Sequence, residues 1–218
     1  EKFLLIERSK HKTVGAIQEL SEALGIAYIE TIEAFDHSNI QGTNPVSAMV
    51  VYKDGKPERK AYRKYKIKTV EGSHEFATTQ EVIRRRYTRL LREQKPLPDL
   101  ILMDGGKIQV RAAKEVLEDE LGLVIPVAGM VKDNKHRTAS LLFNDELVEL
   151  DPRSQAFHLV QRIQDEVHRF AITFHRELRG KRAMSSVLNG VKGLGKKKIS
   201  ALIERFKDIS GIAKATKE

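Results

Sequence analysis

Cysteine is absent from this chain, and so is tryptophan. The first absence excludes disulfides and thiolate metal sites. The second, with Phe and Tyr making up only 6% of residues and scattered, leaves no aromatic platform of the kind on which single-stranded nucleic acid stacks. No apolar run approaches the roughly 18 residues that cross a bilayer, and residues 1–8 are charged and lack a signal-peptide core. These absences predict a soluble, cytoplasmic protein with no membrane partner.

What is present is positive charge. Lys and Arg outnumber Asp and Glu by 39 to 30, giving a formal net charge of +9 and a sequence pI near 9.6. Such a field favours a polyanion, and the lack of stacking residues points to recognition of a double-stranded backbone. With 40% hydrophobic and 32% charged residues over 218 positions, the chain can bury one large core and carry a small appendage.

Periodicity predicts a lead-in helix over residues 1–25, with Val14, Ile17, Leu20 and Leu24 on one face and Gly25 as its stop. Three β-rich runs follow at 29–36, 46–52 and 59–67, the last two joined at the hairpin signal Asp54-Gly55. A helix over 76–91 turns Arg85, Arg89 and Arg92 away from its apolar face, a basic side suited to DNA. The continuous apolar run 100–103 reads as a strand buried on both faces, ending at Asp104-Gly105-Gly106. A helix over 107–121 and a strand over 127–131 imply a parallel pair. Two edge strands at 138–143 and 146–150 flank Asn144-Asp145, and a long helix runs from about 153 to 178. The pattern predicts an α/β domain with a mixed sheet and flanking helices, resembling the ribonuclease H fold, over residues 26–180.

Hydrolysing a phosphodiester without a covalent intermediate calls for hard cations on oxygen ligands. If the first strand is central and the 100–103 strand pairs parallel to it, Asp36 and Asp104 project from the same sheet edge. Either aspartate alone is equally well a strand-end or helix-capping residue; two at one edge of a basic protein favour Mg²⁺ or Mn²⁺. A nucleotide site at the glycine turn is the rival, but no complete dinucleotide or phosphate-loop fingerprint is present.

Four separated segments make the reading specific: Ile32-Glu33-Ala34-Phe35-Asp36-His37-Ser38-Asn39-Ile40-Gln41-Gly42, Tyr62-Arg63-Lys64-Tyr65-Lys66-Ile67, Leu102-Met103-Asp104-Gly105-Gly106-Lys107, and Asp165-Glu166-Val167-His168-Arg169-Phe170-Ala171-Ile172. In this order they resemble the C-terminal half of the UvrC family of bacterial excision-repair nucleases, over nearly the whole chain. The resemblance implies an RNase H-like endonuclease that incises damaged duplex DNA on the 5′ side of a lesion, leaving 3′-hydroxyl and 5′-phosphate ends, with UvrB as partner and UvrA acting upstream. It places metal-holding aspartates at Asp36 and Asp104 and an essential histidine at His168, as ligand, water-orienting group or acid. The family's third acidic position, an Asp-Asp pair, reads His74-Glu75 here, so Glu75 keeps the charge on a longer arm and is expected to be accessory. Other RNase H-like nucleases of resolvase or transposase type, and a non-catalytic DNA-binding module, are the alternatives.

Lys132, Lys135 and Arg137 lie on a basic loop after a strand ending near the aspartates and are expected to contact phosphates, as are Asn39 and Gln41. Residues 183–218 read as a helix-hairpin-helix segment. There Gly193 and Gly195 let the backbone approach a phosphate, and Lys196, Lys197 and Lys198 add charge at the opening of the second helix. Such hairpins work in pairs, and the family's second hairpin, its N-terminal nuclease and its UvrB-interacting segment are expected outside this stretch. A monomer is expected.

Overall fold

The computed structural model describes residues 2–38, 45–70, 74–132, 138–206 and 208–215, with side chains from residue 13 onward except those of 38, 138 and 139. The chain parts into two compact units, residues 1–171 and 172–218. The first opens with helix α1 (Lys2–Leu24), which stops at Gly25, where the backbone takes a positive φ of 64°.

Strands β1 (Thr31–Ser38) and β2 (Val46–Lys53) pair antiparallel. The turn after β2 has positive φ at both Asp54 (50°) and Gly55 (72°), the signature of a tight hairpin matched to strand twist. The return strand, expected as one run over 59–67, is broken. β3 (Lys56–Pro57) pairs with Tyr52 and Lys53, a 3-10 turn occupies Arg59–Ala61, and β4 (Arg63–Lys66) rejoins β2 along Val46 to Met49. Pro57 has no N–H to continue a ladder, and Ala61 N–H closes the turn on the Glu58 carbonyl at 3.0 Å.

Helix α2 (Glu75–Arg92) then leads to β5 (Leu100–Met103), every residue of which is buried. Helix α3 (Lys107–Lys114) ends in a π-helical turn over Glu115–Glu120, where one continuous helix was expected. β6 (Val127–Lys132) is parallel to β5 and followed by the hairpin of β7 (Thr138–Phe143) and β8 (Glu146–Glu149), whose turn residues Asn144 and Asp145 both have positive φ. The eight-stranded sheet runs β3-β2-β1-β5-β6-β7-β8, with β4 also on β2, and only β1-β5 and β5-β6 are parallel.

Side chains alternate between the two faces of each strand, and two cores result. Ile32 and Ala34 of β1, Leu100 and Leu102 of β5 and Met130 of β6 pack with Leu20 and Leu24 of α1. The same core takes in Leu159, Ile163 and Val167 of helix α4 (Gln155–Asn189). Phe35, Met49, Ile101 and Met103 pack with Ile83 and Tyr87 of α2 and Val116 and Leu117 after α3.

α4 continues past Gly180, where the sequence suggested a break. A lone helical glycine costs only about 1 kcal/mol against alanine, and good helix formers flank it. In the second unit Gly193 (φ 91°) turns the chain toward α5 (Lys196–Arg205), and α6 (Ile209–Ala213) is capped by Asp208, whose carboxylate accepts from Gly211 N–H at 2.7 Å. Among the described residues no helix is long and apolar enough to cross a membrane.

Candidate metal centre

The parallel register sets the site. Phe35 of β1 pairs with Met103 of β5, so the next residue of each strand, Asp36 and Asp104, falls side by side at the strand ends. Asp104 N–H donates to the Phe35 carbonyl at 2.8 Å, carrying the pairing one step past β5. Because Ala34 and Leu102 face α4, the residues two further on face it too.

From that helix His168 brings Nδ1 to 3.2 Å from Asp36 Oδ2, and Gln164 donates from Nε2 to Asp104 Oδ1 at 2.9 Å. Lys132, at the end of β6, brings Nζ to 3.1 Å from Asp104 Oδ1 and 3.2 Å from Oδ2. Among the described residues Asp36, Asp104 and His168 form a cluster whose potential ligand atoms all lie within 4.8 Å of one another.

The electrostatics favour a cation. The Asp36 carboxyl is raised from its ordinary 3.8 to about 6, chiefly because burial withholds water from the charge and then because Asp104 repels it. His168 and Lys132 oppose the shift without cancelling it. A divalent ion would relieve both causes, and two carboxylates with one imidazole are a suitable donor set for a hard or borderline cation. Both aspartate side chains are almost fully buried, whereas the His168 ring is 59% exposed, so the cluster opens to solvent on the histidine side.

Of the other expected residues, Glu75 opens α2 and accepts from Gln109 Nε2 at 2.7 Å; it is not a member of the cluster. Arg85 is held by Glu81 and the Lys66 carbonyl, and Arg89 by Glu93, on the helix that packs against the opposite face of the sheet. Asn39, Gln41, Lys135 and Arg137 lie outside the described residues. In the second unit Gly193 and the N-cap residue Gly195 make the turn, and Lys196, Lys197 and Lys198 are exposed at the start of α5. Only Gly193 takes a backbone conformation that calls for glycine.

Three residues escaped the sequence reading. Gln164 is one, a buried polar residue on an apolar helix face. Gly129 is another: a methyl there would collide with the Gly105 carbonyl, so it lets the Asp104 turn lie against β6. His37, beside Asp36, meets Ser47 Oγ through Nδ1 at 2.9 Å, and burial pushes it down to about 4, keeping it neutral. Its Nε2 is buried without a partner among the described residues.

A sheet of this order with paired carboxylates at the ends of its central parallel strands defines an RNase H-like architecture. The UvrC RNAse H endonuclease domain matches residues 21–172, and the chain belongs to that family. It is 59% identical over its whole length to the UvrABC system protein C of Latilactobacillus sakei and 58% identical to that of Lacticaseibacillus casei. It spans 38% and 37% of those relatives' lengths. Endonuclease V from Streptomyces avermitilis aligns over 78% of this chain and 94% of its own at 13% identity and a TM-score of 0.43.

Proposed function

We propose that this chain is the part of a bacterial excision-repair protein that cuts damaged duplex DNA on the 5′ side of a lesion, in the cytoplasm, with UvrB as partner and UvrA acting upstream. The observation that carries the reading is the meeting of Asp36, Asp104 and His168 in a domain of the UvrC family. Asp36 and Asp104 would hold Mg²⁺ or Mn²⁺, with His168 a further ligand or a proton carrier. When bound, such an ion supplies Lewis-acid polarisation and neutralises charge at the phosphodiester.

The chain's own residues do the rest. Burial and shared negative charge make the aspartates a strong cation trap. With Nδ1 engaged by Asp36, His168 has Nε2 to hand a proton to the departing 3′ oxygen. Lys132, which now contacts Asp104 and would be released from it if a cation were bound there, is placed to hold a neighbouring phosphate of the cut strand. Residues 26–180 form the nuclease and 183–218 a helix-hairpin-helix segment, in which the Gly193–Gly195 turn and Lys196 to Lys198 grip the backbone without reading sequence. Glu75 is accessory, and Arg85 and Arg89 could reach DNA only by leaving their carboxylate partners.

The test incubates the full-length protein with damaged duplex, UvrA, UvrB and Mg²⁺, comparing wild type with Asp104→Asn. Loss of the 5′ cut with DNA binding retained is the expected result. Unchanged cutting would show that the chain only binds DNA for another nuclease.

A further inference from the structure

Gln164 has no obvious reason to be where it is. It lies on the buried face of α4 among Val160, Ile163, Val167 and Ala171, and is itself 7% exposed. A buried primary amide is costly unless its hydrogen bonds are made. Here Nε2 donates to Asp104 Oδ1 at 2.9 Å. One helical turn later on the same face, His168 meets Asp36. A single rigid helix thus holds both carboxylates, one through each side chain.

The two donors on Asp104 differ. Lys132 touches both oxygens, but its side chain is 39% exposed and at the end of a strand. Its positive charge occupies the carboxylate that a divalent cation needs, so the two compete. The Gln164 amide is neutral and donates to Oδ1. It can orient the carboxylate without reducing the charge available to a cation. An arginine or lysine in its place would forfeit that charge, and an apolar residue would leave Asp104 held, among the described side chains, by the competing Lys132.

We propose that Gln164 is a positioning residue that fixes the Asp104 carboxylate for divalent-cation binding through its hydrogen bond to Oδ1. The inference rests on the reading of Asp36 and Asp104 as the cation's ligands. Outer partners of metal ligands act in this way, and their loss typically weakens metal binding by about 10- to 100-fold.

The test uses Gln164→Met, which keeps length, helix preference and packing but removes the donor. Mn²⁺ alone is titrated into the whole chain by calorimetry. Binding about 10-fold weaker than wild type is expected, with an unchanged metal-free unfolding midpoint. DNA cutting should need more Mn²⁺ but regain nearly the wild-type rate at saturation. Gln164→Asn keeps the amide but falls one methylene short, so it should show the same weakening and serves if the Met variant does not fold. Mn²⁺ affinity within about twofold of wild type in a folded variant would overturn the inference, since it lies below the usual effect of such a partner. If wild type takes up no Mn²⁺, or Asp104→Asn takes it up equally well, the metal-site reading itself fails and this inference falls with it.

Discussion

Glu33 and Asp36 lie three residues apart on one strand, are comparably buried at 3% and 6% exposure, and face opposite sides of the sheet. On the α2 side, Glu33 receives Arg86 through two hydrogen bonds, at 2.6 and 3.2 Å, and the Tyr87 hydroxyl at 2.8 Å. On the α4 side, Asp36 shares its surroundings with a second carboxylate and has a half-exposed histidine for company. A buried acid supplied with fixed donors is a structural fastening. One left short of positive charge beside another acid suits a cation.

The largest effect that separates the two should come from Asp104→Asn. On the proposed reading Asp104 holds the cation, and loss of such a ligand removes several kcal/mol of transition-state stabilisation, so incision by the full-length protein should fall by about 10³-fold. Its denaturant midpoint should not fall. Glu33→Ala should do the reverse. Stranding Arg86 in the interior costs about 3–5 kcal/mol, seen as a lower midpoint, while the protein that remains folded binds Mn²⁺ as wild type does. Loss of Mn²⁺ binding there would mean that the two carboxylates are not separate in function.

The pH dependence sharpens the contrast. Because the folded-state pKa of Asp36 is raised from 3.8 to about 6, the native protein holds a proton that the unfolded chain releases. Its contribution to stability therefore declines as pH rises from about 4 to about 6 and does not return above it. Asp36→Asn should accordingly stabilise the metal-free protein at pH 7 to 8, by roughly 1–3 kcal/mol, measured as a higher unfolding midpoint. Protons compete with the cation below about pH 6, so wild-type Mn²⁺ affinity should drop by about tenfold for each unit below that. The smallest effect belongs to Tyr87→Phe, which removes one donor from Glu33 and leaves Arg86 in place, costing about 1 kcal/mol.

Much of this was legible beforehand. The β-rich run 46–52, the unbroken apolar run 100–103 and the turn Asp54-Gly55 mark strands locally, and the aspartates pair once β5 lies parallel to β1. The break in the third strand was not, because it depends on how Pro57 and Glu58 meet β2 rather than on any change in hydrophobic pattern. Gln164 was hidden for a different cause. A glutamine within a helical stripe is ordinarily a tolerated polar residue, and its hydrogen bond to Asp104 depends on a residue of another element. Glu75 shows the converse: an acid in the expected place along the chain, at a helix start, bound to Gln109 rather than joined to the cluster.

The Asp99 carboxylate accepts from the N–H groups of both Glu30 and Thr31 at 2.9 Å, tying the entrances of β1 and β5 together. From those anchors Asp36 is five residues beyond Thr31, and Asp104 five beyond Asp99. Equal counts put the two acids on one face, and odd and even positions on a strand never share a face. The centre therefore answers to arithmetic as well as chemistry. One residue inserted into either arm would send its aspartate through the sheet to the side of Glu33, where Arg86 and Tyr87 already serve an acid. Inserting a residue in both arms would keep the two acids together but on the α2 side, away from His168, an alteration that no single substitution could imitate.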